Sequence, residues 1–103
     1  MTSDNIDIMV PLEHACFADH FPGAPLLPGA LLLQWIFARL EQAKNIHIGY
    51  IHQVKFLQPV LPGNQLRITF LMQENKQLRF DCYRDQTLIA KGKLGYNLES
   101  NDE

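Results

Sequence analysis

The sequence predicts an α+β domain in which one long buried helix is wrapped by a curled antiparallel sheet. Three observations lead there. A single helical run, GALLLQWIFARLEQAKN, is apolar on most sides. A stretch dense in proline and glycine, HFPGAPLLPG, leads into it. The second half of the chain reads as long alternating strands separated by short turns.

In chain order, Met1 to Asn5 is polar, and Ile6 to Val10 is a short strand stopped by Pro11. Glu13 to Ala18 is expected to form one helical turn, and His20 to Pro28 a loop. The helix starts near Pro28, because proline is tolerated in a first turn where its missing N–H has no partner anyway. It runs to about Lys44, a cation suited to the C-terminal end of the dipole. Leu31, Leu32, Leu33, Trp35, Ile36, Phe37 and Leu40 go nearly round the cylinder, so the helix is expected to be buried on most sides. His47 to Gln58 is a strand ended by Pro59, and LPGN at 61–64 is a turn. From Gln65 to Gln73, Leu66, Ile68, Phe70 and Met72 alternate with Arg67, Thr69, Leu71 and Gln73. After a turn at 74–76, Leu78, Phe80 and Cys82 alternate with Arg79, Asp81 and Tyr83. Arg84 to Gln86 is another turn, Thr87 to Leu98 a last long strand, and 99–103 a polar tail.

Size and charge narrow the function. The 103 residues fit one domain, 1–103, of ordinary globular composition, 47% hydrophobic and 19% charged. A formal net charge of -2, with nine scattered Lys and Arg, argues against nucleic acid. Two distant cysteines, Cys16 and Cys82, form no metal motif and are expected to be free thiols in a reducing cytosol. Ala30 to Leu40, the longest apolar stretch, is too short and too polar to cross a bilayer. No signal peptide is read at the start, so a cytoplasmic location is expected.

The chemistry concentrates in HFPGAPLLPGALLLQ. Histidine is the side chain best suited to moving protons near neutral pH. His20 sits on a loop braced by Pro22, Pro25 and Pro28. Gly29 falls at the helix N-terminus, where a free backbone N–H and the helix dipole suit a developing negative oxygen. A base plus an oxyanion donor suits proton abstraction beside a thioester carbonyl. Gln34 is a polar amide inside the apolar helix.

The pattern H-F-P-G-x-P-x-x-P-G followed by an apolar helix closely resembles the signature of the FabZ/FabA-type 3-hydroxyacyl-acyl-carrier-protein dehydratases. VPLEHACFADHFPG resembles that family's lead-in, and VKFLQPVLPGNQL its strand after the helix. The short length and the Gln34-Trp35 pair look most like the small aryl-polyene-type dehydratases. The resemblance implies the hotdog fold, a dimer or larger homo-oligomer, and an acyl thioester substrate on an acyl carrier protein, with no metal or redox cofactor, nucleic acid or membrane. It implies that His20 is the catalytic histidine and that Gly29 N–H polarises the thioester carbonyl. Gln34 stands where the family has an Asp or Glu reaching the other protomer's histidine. An amide donates hydrogen bonds but is not an acid in this pH range. Either His20 serves as both base and acid with Gln34 holding the hydroxyl, or another acid stands in (Glu13, Asp19, Glu41), or acyl binding remains without catalysis. The rival readings are thus a non-catalytic or heteromeric acyl-binding subunit and an acyl-thioester hydrolase.

Other residues read more simply. His14, His47 and His52 fit surface or strand positions, although His14 lies near the motif. Trp35, Phe37, Phe56 and Phe70 are expected in the core, some of them facing an acyl tunnel. Cys82 is expected buried or half-buried. Lys55, Arg67, Arg79, Lys91 and Lys93 fit a solvated face on which a few attract an acidic carrier protein.

Overall fold

Period-two alternation sets the two faces of the sheet. The structure is a computed structural model and describes residues 4–12 and 27–98. Its elements are β1 (Asp4–Met9), α1 (Gly29–Lys44), β2 (Ile46–Phe56), β3 (Gln65–Gln73), β4 (Gln77–Arg84) and β5 (Thr87–Leu98). The strands form one antiparallel sheet in the order β1-β3-β4-β5-β2. One row across it runs Ile6, Ile68, Cys82, Ala90, and all four are buried. The next row runs Asn5, Thr69, Asp81, Lys91 and faces away from the core. This is the single helix on one face of an antiparallel sheet that the hotdog resemblance implies.

The helix differs from expectation in one respect. Only Leu32, Ile36 and Leu40, spaced four apart, are fully buried. Leu31, Leu33, Trp35 and Phe37 pack against the core but stay half-buried. One sheet face covers one stripe of a cylinder, and the described residues supply no second layer for the flanks. The sequence signal for burial on most sides therefore exceeds what one sheet face covers.

Boundaries follow local chemistry. Asn45 adopts φ 59°, ψ 47°, and its N–H donates to Glu41 C=O at 2.8 Å. Asparagine tolerates this left-handed conformation, which ends α1 and turns the chain directly into β2. The strand stops at Phe56 rather than Gln58, because Leu57 and Gln58 N–H both turn to Ile89 C=O, at 2.7 and 3.2 Å. The first strand begins earlier than the apolar run suggests, at Asp4, where Lys44 Nζ meets Asp4 Oδ2 at 2.7 Å. The helical turn expected at 13–18, Cys16, and the loop as far as residue 26 lie outside the described residues. No helix among the described residues is long and apolar enough to cross a membrane.

Cys82 is fully buried, and burial pushes its thiol up to about 12 because the thiolate cannot be solvated there. Its folded-state value lies above the ordinary 9.0. Its contribution therefore favours the fold below pH 9 and is lost as pH rises from 9 towards 12. Cys82 is expected to resist a thiol reagent at pH 8 in the native protein and to react once urea unfolds it. Cys82→Ala is expected to flatten the alkaline fall in stability, followed by urea titration across that pH range.

Candidate functional site

The N-terminus of α1 is left open by its own sequence. Pro28 precedes the helix in an extended conformation, φ -61° and ψ 139°, and has no side chain to cap it. Pro28 C=O accepts from Leu31 and Leu32 N–H, both at 3.1 Å. The Gly29 N–H lies ahead of these bonds and has no hydrogen-bond partner among the described residues. Partial positive charge therefore collects at Gly29.

An apolar cleft of about 400 Å³ lies at this helix end, between Leu27, Gly29 and Leu32 on one side and Phe56, Leu57 and Val60 on the other. The glycine lets the helix end and the Phe56 ring approach closely. A Cβ on Gly29 would stand 2.9 Å from Phe56 Cζ, inside van der Waals contact. Phe56, expected in the core, is in fact 49% exposed. It pairs with Ala90 and so points to the helix side, but the helix begins only at Gly29 and leaves its ring as a cleft wall. Sequence reading missed this role of Phe56. The available signal was its place at the strand end, just before Pro59.

Gln34 is exposed. It stands two residues from both Leu32 and Ile36, about 200° from each around the helix, so it points away from the sheet. Gly29 faces Phe56, whereas Gln34 looks outward, and a single chain does not bring them together. His20 lies outside the described residues, as do Glu13, Asp19 and His14. Glu41 is engaged elsewhere: its Oε2 accepts the Ile48 N–H at 2.8 Å. It is seven residues beyond Gln34, about 10 Å along the axis, and braces the start of β2. His52 stacks edge-on against Tyr50, with ring centroids 4.7 Å apart, on the exposed part of β2. No group of three or more His, Cys, Asp and Glu among the described residues is placed to hold a metal ion.

An open N–H at the wall of an apolar cleft suits an acyl group whose carbonyl oxygen gains negative charge. With that geometry in view, the likenesses to known proteins carry weight. The ApeI-like family model, described as ApeI dehydratase, matches residues 2–93. The 3-hydroxyacyl-[acyl-carrier-protein] dehydratase FabZ of Ehrlichia chaffeensis is 28% identical over 96 residues, spanning 82% of this chain and 67% of that protein. The solved dehydratase heterocomplex ApeI:P from Xenorhabdus doucetiae matches with a TM-score of 0.78 at 28% identity, over 92% of this chain and 87% of that chain. An uncharacterized protein from Erwinia carotovora subsp. atroseptica matches with a TM-score of 0.77 at 27% identity, over 93% and 83% of the two chains.

Gly29→Ala is expected to push the Phe56 ring into the cleft. The half-exposed Phe56 ring is free to give way, so stability changes little. Binding of an acyl thioester analogue is expected to weaken, and Phe56→Ala in the same chain to restore it. Calorimetric titration of the three variants checks both outcomes.

Proposed function

The chain belongs to the ApeI-like dehydratase family, and we propose that it removes water from a 3-hydroxyacyl thioester carried on an acyl carrier protein, giving the 2-enoyl thioester. The observation that carries this reading is the Gly29 N–H, open at the wall of the Phe56 cleft. With the thioester carbonyl at that N–H, negative charge forming on its oxygen meets a donor and the positive end of α1. The His20 imidazole takes the C2 proton. The C3–O bond breaks, and the leaving hydroxide takes that proton back from the imidazolium to depart as water. Gln34 of the other protomer holds the hydroxyl by its amide and transfers no proton. Action in fatty-acid or aryl-polyene-type synthesis in the cytosol completes the proposal.

Support for an assembled site comes from Gln34, which points outward, and from β2. That strand is an edge of the sheet, 11 residues long, with Tyr50 and Ile51 about half exposed. Unpaired amides on a long edge favour pairing with a second chain. Sedimentation is expected to give a dimer or larger species, and Ile51→Lys to shift it towards monomer.

A second reading rests on Gln34 itself. With no carboxyl there, the chain acts as an acyl-binding subunit beside a different catalytic protomer. The heteromeric assembly of the ApeI:P relative supports this alternative. One assay separates the readings: 3-hydroxyacyl carrier protein is incubated with the purified chain while enoyl formation and free thiol are followed together. The proposal expects enoyl product that His20→Ala reduces roughly 10²–10⁴-fold. It also expects Gln34→Glu to raise the rate, since a carboxyl would then share the proton transfer. Thiol release without enoyl product identifies a hydrolase, and binding without turnover identifies the acyl-binding subunit.

A further inference from the structure

A second apolar cleft, of about 250 Å³, lies where β1 meets the flank of α1. Ile8, Met9 and Pro11 line it from the strand side, and Trp35, Ala38 and Arg39 from the helix. It shares no residue with the Phe56 cleft. β1 and β2 are opposite edges of the sheet, and Trp35 stands about 120° round the helix from Gly29 and about 9 Å along it. Arg39 is the one charged residue of the lining. Its guanidinium forms no ion pair or hydrogen bond among the described residues. The carboxylates of the same two elements are engaged elsewhere. Asp4 meets Lys44 Nζ at 2.7 Å, Asp7 meets Arg67 Nε at 3.2 Å, and Glu41 accepts from Ile48 N–H at 2.8 Å. A lone exposed arginine is ordinary on a protein surface. This one adjoins an apolar cleft that offers it no counter-ion.

We propose that this cleft binds a medium-chain carboxylate, with the alkyl chain against Ile8, Trp35 and Ala38 and the head group on the Arg39 guanidinium. The lining selects that chemistry. An apolar cavity of about 150 Å³ admits a six-carbon ring, so 250 Å³ takes a chain on the order of ten carbons. The chain supplies affinity by leaving water, and the single polar contact fixes its direction. One guanidinium matches one carboxylate, because its two parallel N–H groups meet the two oxygens. A phosphate monoester carries nearly two charges, more than one cation offsets. A membrane surface is held by several basic residues together, and this lining has one. Occupancy here leaves Gly29 accessible and is independent of the reaction that the Phe56 cleft performs.

Trp35 is the chain's one tryptophan and lines the cleft, so its emission reports occupancy. The intact chain is titrated with decanoate at pH 8, below the micelle concentration, and Trp35 fluorescence is followed. A saturable change is expected. Arg39→Gln is expected to weaken decanoate binding roughly tenfold, since a charge-assisted pair is lost. Decanol, which has the chain without the charge, is expected to bind the parent and Arg39→Gln alike. Ala38→Phe, at an exposed helix position, is expected to fill the cleft and abolish the change. Gly29→Ala is expected to bind decanoate like the parent, which separates this cleft from the one at Phe56. Decanoate is expected to raise the melting temperature of the parent and of Gly29→Ala, but not of Ala38→Phe. Absence of a saturable change overturns the proposal, as does decanoate binding that Arg39→Gln or Ala38→Phe leaves intact. Loss of binding in Gly29→Ala, or tighter binding of decyl phosphate than of decanoate, also overturns it.

Discussion

The geometry around the helix N-terminus depends on one backbone hydrogen bond, from Leu27 N–H to Val60 C=O at 2.8 Å. It fixes the last residue before Pro28 against the loop that follows β2, and so sets the gap between Gly29 and Phe56. That loop is itself held from several directions. Asn64 Oδ1 accepts from Leu61 N–H at 2.8 Å and from Arg84 Nη1 at 3.1 Å, and Arg84 Nη1 also donates to Pro59 C=O at 2.9 Å. Val10 N–H donates to Asn64 C=O, and Gly63 N–H to Val10 C=O, at 2.8 and 2.9 Å. Each bond contributes only about 1 kcal/mol net. Their value lies in direction: the ends of β1 and β4 and both cleft walls share one frame.

The fold separates its tasks by face. The Leu32, Ile36 and Leu40 stripe seals α1 to the sheet, which leaves the opposite side of the same helix free to present Gln34. The sheet repeats this division, with Ile68, Cys82 and Ala90 inward and Asp81 and Lys91 outward. A stripe of four-residue period and strands of two-residue period therefore give three separate surfaces from one small core. These are a cleft at the helix tip, an outward helix flank and a charged sheet face.

Much of this was legible in the residues. The strands at 65–73 and 87–98 have the bounds their alternation and turns indicated, because one buried face fixes the phase of each strand. The helix was legible from Pro28 and the apolar run after it. Less legible was β2, whose register shifts between Ile48 and Tyr50 and again between Ile51 and Gln53. Residues 49–53 are all exposed, so no hydrophobic phase holds them in one register. Burial of the helix flanks was over-read, since composition reports how apolar a side chain is and not whether anything covers it. At the candidate site, the place of Gly29 at the helix start was legible from the motif. Phe56 was not, because its exposure depends on where the helix begins relative to the strand beside it. Glu41 was a candidate acid by residue type, and only its bond to Ile48 N–H places it in a bracing role.

The edge position of β2 makes the supply of a matching strand a structural variable for this chain. A strand of 11 residues whose outer amides past Ile48 have no partner among the described residues has a fold that mass action strengthens whenever a matching edge is abundant. Without such an edge, the same amides form a template for indiscriminate pairing. Where a second copy supplies that edge, the amount of chain present sets how much of it stays in native form.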